Sequence, residues 1–186
     1  MRNSNRTRIL DAAASVVQRE GIRSFTFDAV AAEAGLTKGG LMYHFPARDD
    51  LVTAVHQHLA ARWESAMVNA LGRPAEQATA DERYAAYARV NTEGASRAEM
   101  LFIIESSTHP EHAAPWEAVM ARWAPPPPSV HASEEELTRF VARLAADGLW
   151  MFEVLSNETL DAEVRASLSE RLAATVTRSH GSVEGL

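Results

Sequence analysis

Apolar residues recur along this chain at intervals of three and four and almost never alternate, a pattern that predicts helices and leaves little room for a sheet. Ile9, Ala13, Val16 and Val17 mark one face of a helix over residues 5–20, with Gly21 suited to the left-handed position that follows a helix. Thr26 can cap a short helix running through Ala34, Gly35-Leu36 makes a turn, and Thr37 can cap a second short helix running through about His44. Pro46 ends that helix, because proline pushes the residue before it out of the helical region.

Over residues 47–71 the face Leu51, Val55, Leu59, Trp63, Ala66 and Ala70 predicts a helix of six or seven turns, closed by Gly72-Arg73-Pro74. Two further helices are expected at 81–92 and 96–107, the second carrying Met100-Leu101-Phe102-Ile103-Ile104 and stopped by His109-Pro110. A short helix at 115–124 runs into Pro125-Pro126-Pro127-Pro128, which forms a stiff extended connector. Ser133 and Glu136 make a capping box. The helix after it keeps Leu137, Phe140, Val141, Leu144, Met151, Phe152 and Leu155 apolar, and the last one carries Leu160, Val164, Leu168, Leu172 and Val176 in a strict four-residue ladder. The expected fold is all-α, with about nine helices.

Composition narrows the function. The chain has 186 residues, 46% of them apolar, enough for a real core, and no cysteine, which excludes disulfides, thiolate metal sites and a thiol nucleophile. No apolar run approaches the ~18 residues of a membrane span and no signal peptide follows the basic start, so no membrane partner and a cytoplasmic location are expected. Net charge is −7, unevenly spread: residues 1–48 carry +3, including Arg2, Arg6, Arg8, Lys38 and Arg48, and residues 49–186 carry −10. The split suggests a small polyanion-binding head on an acidic body.

Three helices, the last two short and joined by a tight turn, have the size of a helix-turn-helix unit. The run from Thr26 to Phe45, followed by Arg48-Asp49-Asp50-Leu51, resembles the signature of the TetR family of bacterial transcriptional regulators. The resemblance implies a DNA-binding domain over residues 1–47 and an all-α ligand-binding and dimerisation domain over residues 48–186. It places Leu41 and Phe45 inward against Val30 and Leu36. Thr37, Lys38, Gly39 and Gly40 fall at the start of the recognition helix, where free amides favour phosphate. Met42, Tyr43 and His44 are assigned to the DNA side, with Thr26 and Arg48 as phosphate clamps that Arg6 and Arg8 extend. Met42 stands where the family usually has tyrosine, and Gly40 where threonine is common. That shifts the expected base readout toward Lys38 and Tyr43.

In the body, Trp63, Trp116 and Trp150 with Met100, Phe102 and Glu105 are the candidate ligand-binding residues: an aromatic box for a planar molecule, with Glu105, Glu93 or Asp147 facing a cation. The segments Thr108-His109-Pro110-Glu111 and 144–150 resemble those of multidrug-responsive TetR members. The competing reading makes the same aromatic residues core. His56-Gln57-His58 and His109-Pro110-Glu111-His112 lack metal-site spacing, so no metal or other cofactor is expected. No nucleophile–base pair suggests an enzyme. The sequence therefore predicts a cytoplasmic, nucleoid-associated homodimeric repressor, paired through its last two helices by Phe140, Leu144, Leu155, Leu168, Leu172 and Val176. It would bind a pseudo-palindromic double-stranded operator and be released by a small-molecule inducer. Two alternatives stay open: a ligand-binding dimer with a degenerate head, and a regulator of metabolic genes with a non-drug ligand.

Overall fold

A computed structural model describes residues 4–93, 96–156 and 158–177; Arg2, counted in the basic start, lies outside them. Among the described residues the chain is all-α and contains no strand: α1 (Asn5–Glu20), α2 (Phe27–Glu33), α3 (Lys38–His44), α4 (Arg48–Leu71), α5 (Ala80–Glu93), α6 (Arg97–Ser106), α7 (Ala114–Trp123), α8 (Glu134–Leu155) and α9 (Ala162–Thr177). The helix bounds fall within two residues of the sequence-based ones. Three short 3₁₀ turns, Ile22–Ser24, Ala75–Gln77 and Pro110–His112, carried no periodic signal that would have announced them.

The helices form two compact units. The first holds Met1–Arg62 and Ser96–Trp116, the second Trp63–Ala95 and Glu117–Leu186, so α4 and α7 each pass from one unit into the other.

In the first unit α1 packs on α2 and α6, and α2 packs on α3. The buried face of α1 is the one its periodicity marks: Ile9, Ala13, Val16 and Val17 are all sealed from solvent. Each large aliphatic buried this way contributes about 1.5–3 kcal/mol. Gly21, at φ +86°, closes α1 by donating its N–H to Val17 O at 2.9 Å. Gly35, at φ +63°, makes the tight reversal between α2 and α3, a backbone conformation where a Cβ would cost energy. Phe25 meets Phe102 edge to face at 5.6 Å. A capping box, Ser96 with Glu99, starts α6, and Gln18 of α1 accepts the Ala98 N–H at 2.8 Å, satisfying a first-turn amide that the helix itself leaves open.

In the second unit α5, α8 and α9 pack on one another. Their common core is made of Ala85, Ala142, Ala173 and Val176, with Tyr84 and Leu172 against it. Three alanines at the meeting point let the helix axes approach closely. The capping box of Ser133 and Glu136 begins α8 as expected. The last helix corrects one expectation. Leu160 precedes α9, and the four-residue ladder does not hold one face, since a step of four residues overshoots a 3.6-residue turn by about 40°. Burial accordingly rises along it: Val164 is 48% exposed, Leu168 36%, and Val176 only 1%. Val176 belongs to the core of its own unit and is not a pairing residue.

Candidate functional site

The α2–turn–α3 segment is built from its caps inward. Thr26 Oγ1 accepts the Ala29 N–H at 3.2 Å, and Thr37 Oγ1 accepts the Gly40 N–H at 3.0 Å. Each such cap contributes about 1 kcal/mol and fixes where its helix starts. In each case a hydroxyl lone pair is used while the O–H remains able to donate. Leu41, Phe45 and Val30 are fully buried, which pins α3 on α2 and turns its remaining residues outward. Tyr43 is 83% exposed and Met42 43%; Thr37, Lys38 and Gly39 are exposed, and Gly40 and His44 partly so.

Basic residues fringe this face. Arg6 lies over the Phe45 ring at 4.4 Å and reaches the His44 carbonyl at 3.5 Å, at the C-terminal end of α3. Exposed Arg48 has its guanidinium 5.8 Å from the Phe25 ring. Lys38 is held by Asp28 at 3.0 Å, both side chains well exposed, so a phosphate reaching Lys38 competes with an existing ion pair. Arg19 grips Glu33 at 2.9 Å and ties α1 to α2; the guanidinium holds the Glu33 carboxyl below its ordinary value.

In the second unit the buried Trp63 and Trp150 rings pack against each other, tilted by 47° with centroids 5.8 Å apart, and Tyr87 lies 5.7 Å from Trp63. A polar chain runs beside them. Trp63 Nε1–H donates to Asn91 Oδ1 at 2.9 Å, Asn91 Nδ2 donates to Asp147 Oδ1 at 2.9 Å, and the Tyr87 hydroxyl donates to the same oxygen at 2.7 Å. Arg143 Nε stands 3.5 Å from Asp147 Oδ2. Burial, reinforced by the Asp147 charge, pushes the Tyr87 phenol far up, so it stays a donor at every physiological pH. One carboxylate thus gathers three donors, and Oδ2 keeps the remaining acceptor capacity. The fourth tryptophan, Trp123, donates to Glu64 Oε1 at 3.0 Å, and Arg122 clasps both Glu64 oxygens at 2.7 Å, holding that carboxyl low.

The other candidate ligand residues gather in the first unit around His56, which is fully buried. Trp116 Nε1–H donates to His56 Nδ1 at 2.9 Å, Phe102 meets the His56 ring edge on at 5.1 Å, and Glu105 Oε2 lies 2.9 Å from His56 Nε2. Burial pushes the His56 imidazole down to about 4 against the opposing pull of Glu105, so the ring is neutral near pH 7. Met100 and Phe102 are buried in the same unit. The six expected ligand residues therefore form two groups, Trp63 with Trp150 in one unit and Met100, Phe102, Glu105 and Trp116 in the other.

Residues 9–55 match the model of the bacterial regulatory proteins of the tetR family, and residues 81–177 match that of the tetracyclin repressor-like C-terminal domain. The chain belongs to the TetR family. It is 28% identical over 183 residues to the HTH-type transcriptional regulator BetI of Cronobacter sakazakii, covering 91% of this chain and 89% of that one. Its fold is shared with a transcriptional regulator from Rhodococcus sp. Rha1 (TM-score 0.64, 16% identity, 94% of this chain and 95% of that one). It is also similar to the multidrug binding protein EbrR, solved with imidazole (TM-score 0.53, 25% identity, 91% and 95% covered) and with malachite green (TM-score 0.56, 24% identity, 91% and 98% covered).

This TetR-family protein is therefore a DNA-binding transcriptional regulator with a helix-turn-helix, and not an enzyme. The match over residues 9–55 contains the whole outward face of α3. Sequence reasoning missed Tyr87, Asn91 and His56. Tyr87 and Asn91 lie four apart on α5 and so share a face, a visible spacing whose meaning depends on a distant Asp147. His56 carries no local sign of its partners, which come from residues some fifty to sixty positions away.

Proposed function

We propose that this regulator is a ligand-responsive repressor: a homodimer that binds a pseudo-palindromic operator on the cytoplasmic nucleoid and is released by a small planar aromatic or cationic molecule. Residues 1–47 read the DNA and residues 48–186 carry the ligand site and the dimer contact. The observation that carries this reading is the outward face of α3. Tyr43, Met42, Lys38 and Gly39 stand exposed while Leu41 and Phe45 are sealed beneath them. Tyr43 and Lys38 reach base edges and phosphate, Met42 meets a thymine methyl, and Gly39 and Gly40 let the backbone approach a groove wall. Thr26, Thr37, His44 and Arg48 fix the register on phosphates.

Pairing is supported by a second face. Along α8 the residues Val141, Leu144, Met151 and Leu155 are 63%, 55%, 45% and 69% exposed, and Val164 and Leu168 of α9 are also open. A stripe of large aliphatics on two neighbouring helices is costly to leave wet and suits a four-helix bundle with a second copy. Phe140 and Leu172 are partly covered and would lie at the edge of that contact.

For the ligand, Trp63 with Trp150 offers adjacent aromatic faces beside the Asp147 carboxylate. Trp63 lies on α4, the helix that directly follows the DNA-binding head, so an inducer that favours one setting of this helix changes the spacing of the two heads. A 100-fold loss of operator affinity requires a ligand preference of the same size, about 2.7 kcal/mol, and DNA weakens the ligand equally. The test is a titration of DNA-free protein with malachite green and neutral aromatics, read by tryptophan fluorescence and melting temperature, then repeated on the operator complex. Saturable quenching, stabilisation that grows with the logarithm of ligand concentration and release of DNA are expected. Trp63→Phe should cut the response and spare operator binding. If Trp63→Phe responds like the wild type, Trp63 is core and the ligand lies elsewhere.

A further inference from the structure

The second unit contains a hollow that the regulator reading leaves unused. It lies wholly within that unit, between the start of α5, the C-terminal turns of α7, the proline connector and α8, and encloses about 450 Å³. Clefts of this size take small organic molecules. Tyr84, Met120, Ala124, Pro126 and Pro127 give it apolar walls. The connector is a stiff wall, because four successive prolines have little freedom to lose, and Arg143 Nη1 pins it by donating to the Pro125 carbonyl at 2.7 Å.

The charge of this hollow runs against its surroundings. Residues 49–186 carry −10, yet three arginines and a single glutamate line it. Two of the arginines are already matched: Arg122 clasps Glu64, and Arg143 stands 3.5 Å from Asp147. Arg83 is different. Its Nε donates to Arg122 O at 2.8 Å, and its Nη1 donates to Ala78 O at 2.8 Å and to Ala75 O at 3.4 Å. These carbonyls fix the guanidinium without cancelling its charge, and among the described residues no carboxylate forms an ion pair with it. The two hydrogens on Arg83 Nη2 remain for an incoming acceptor. Arg143 Nη2 meets only the Met120 sulfur, at 3.8 Å, a weak acceptor that an oxyanion outcompetes. The one acid, Glu117, is exposed on α7, where water and salt screen it. Arg83 also borders a smaller hollow of about 280 Å³, but that one lacks the walls of Tyr84, Met120 and the prolines.

We propose that the larger hollow binds a small organic carboxylate, an acid group on an aromatic or short aliphatic body, with Arg83 as the anchor of the carboxylate and Tyr84, Met120, Pro126 and Pro127 as the cradle of the body. A guanidinium matches a carboxylate in shape and charge, and one unmatched positive charge suits a monoanion. The apolar walls exclude a bare inorganic anion as the best-fitting occupant, since nothing on it would cover them. This site does not rest on the inducer reading: its ligand is opposite in charge to a cationic inducer, and Trp63 and Trp150 do not line it.

The test is calorimetric titration of the full chain with cinnamate, beside cinnamamide as its uncharged isostere, at low and high salt. One cinnamate per chain is expected, bound at least about 10-fold more tightly than cinnamamide and less tightly as salt rises. Arg83→Gln should weaken cinnamate by about 10–100-fold and leave cinnamamide unchanged. Met120→Trp fills the hollow without altering a charge and should abolish binding. Glu117→Gln, at an exposed position, should tighten cinnamate by no more than a few-fold, and at low salt only. Trp63→Phe should bind cinnamate as the wild type does, which separates this site from the proposed inducer site. Should Arg83→Gln fail to fold for want of its carbonyl bonds, Met120→Trp and the cinnamamide comparison still decide. No wild-type binding at millimolar cinnamate, or equal binding of cinnamate and cinnamamide, would overturn the carboxylate site. Full affinity in a folded Arg83→Gln would overturn the anchor, and cinnamate lost in Trp63→Phe but kept in Met120→Trp would overturn the hollow.

Discussion

Two faces of this molecule stand open to solvent, and they are opposites. The face of α3 is small, polar and aromatic, and wetting it costs little, so it waits for a hydrated, charged partner. The α8–α9 face is aliphatic. Val141, Leu144 and Leu155 each leave more than half their surface in water, a cost of order 25 cal/mol for each Å² that only an apolar partner relieves. α8 is thus apolar on two sides. Ala142, Ala146 and Trp150 are buried within the unit, and the larger side chains point away. The contrast teaches that a helix can be apolar on both sides, with Ala142, Ala146 and Trp150 covered inside its own unit and a row of aliphatic side chains left open on the other.

The strongest way to break the comparison is to charge the aliphatic face. Leu144→Arg with Leu155→Glu should give a folded monomer by circular dichroism and sedimentation. It should also lower operator affinity by about 10²–10⁴-fold, because linking two half-site readers multiplies their binding by that factor. The polar face is tested next. Tyr43→Ala should cost about 1–3 kcal/mol on the operator in a gel-shift titration and relax specificity at one position, with dimerisation unchanged. Lys38→Ala should weaken operator binding and reduce the slope of log affinity against log salt by about 1.

How much of this was legible in the sequence depends on the range of the interaction. Helix bounds, the caps Thr26, Thr37 and Ser133, the turn at Gly35 and the open face of α3 are written within four or five neighbouring residues, and each was read from them. The two-sidedness of α8 was not, because periodicity marks apolar positions without saying which neighbour covers them. Val176 shows this most plainly, since it continues a ladder whose Val164 and Leu168 stand open yet ends in the core as the ladder drifts around the helix. The tryptophans were legible as aromatic residues on helix faces, but their partners Asn91, His56 and Glu64 are fixed by tertiary packing.

Smaller effects sharpen the contrast. Thr37→Ala removes the cap of α3 and should destabilise the protein by about 1 kcal/mol in urea unfolding, and Thr37→Ser should restore it. Asp28→Asn frees Lys38 from an exposed ion pair whose strength is at most about 1 kcal/mol, so operator binding should tighten by no more than a few-fold and the dimer should not change.

The most direct measurement is selection of binding sites from a random duplex library by the full chain, with footprinting of the enriched sequence. The account predicts an inverted repeat with half-sites centred about 10–10.5 base pairs or a multiple of that apart, protected symmetrically and lost together in the Leu144→Arg, Leu155→Glu variant. An enriched sequence with a single asymmetric half-site, or one bound equally well by that monomer, would contradict it.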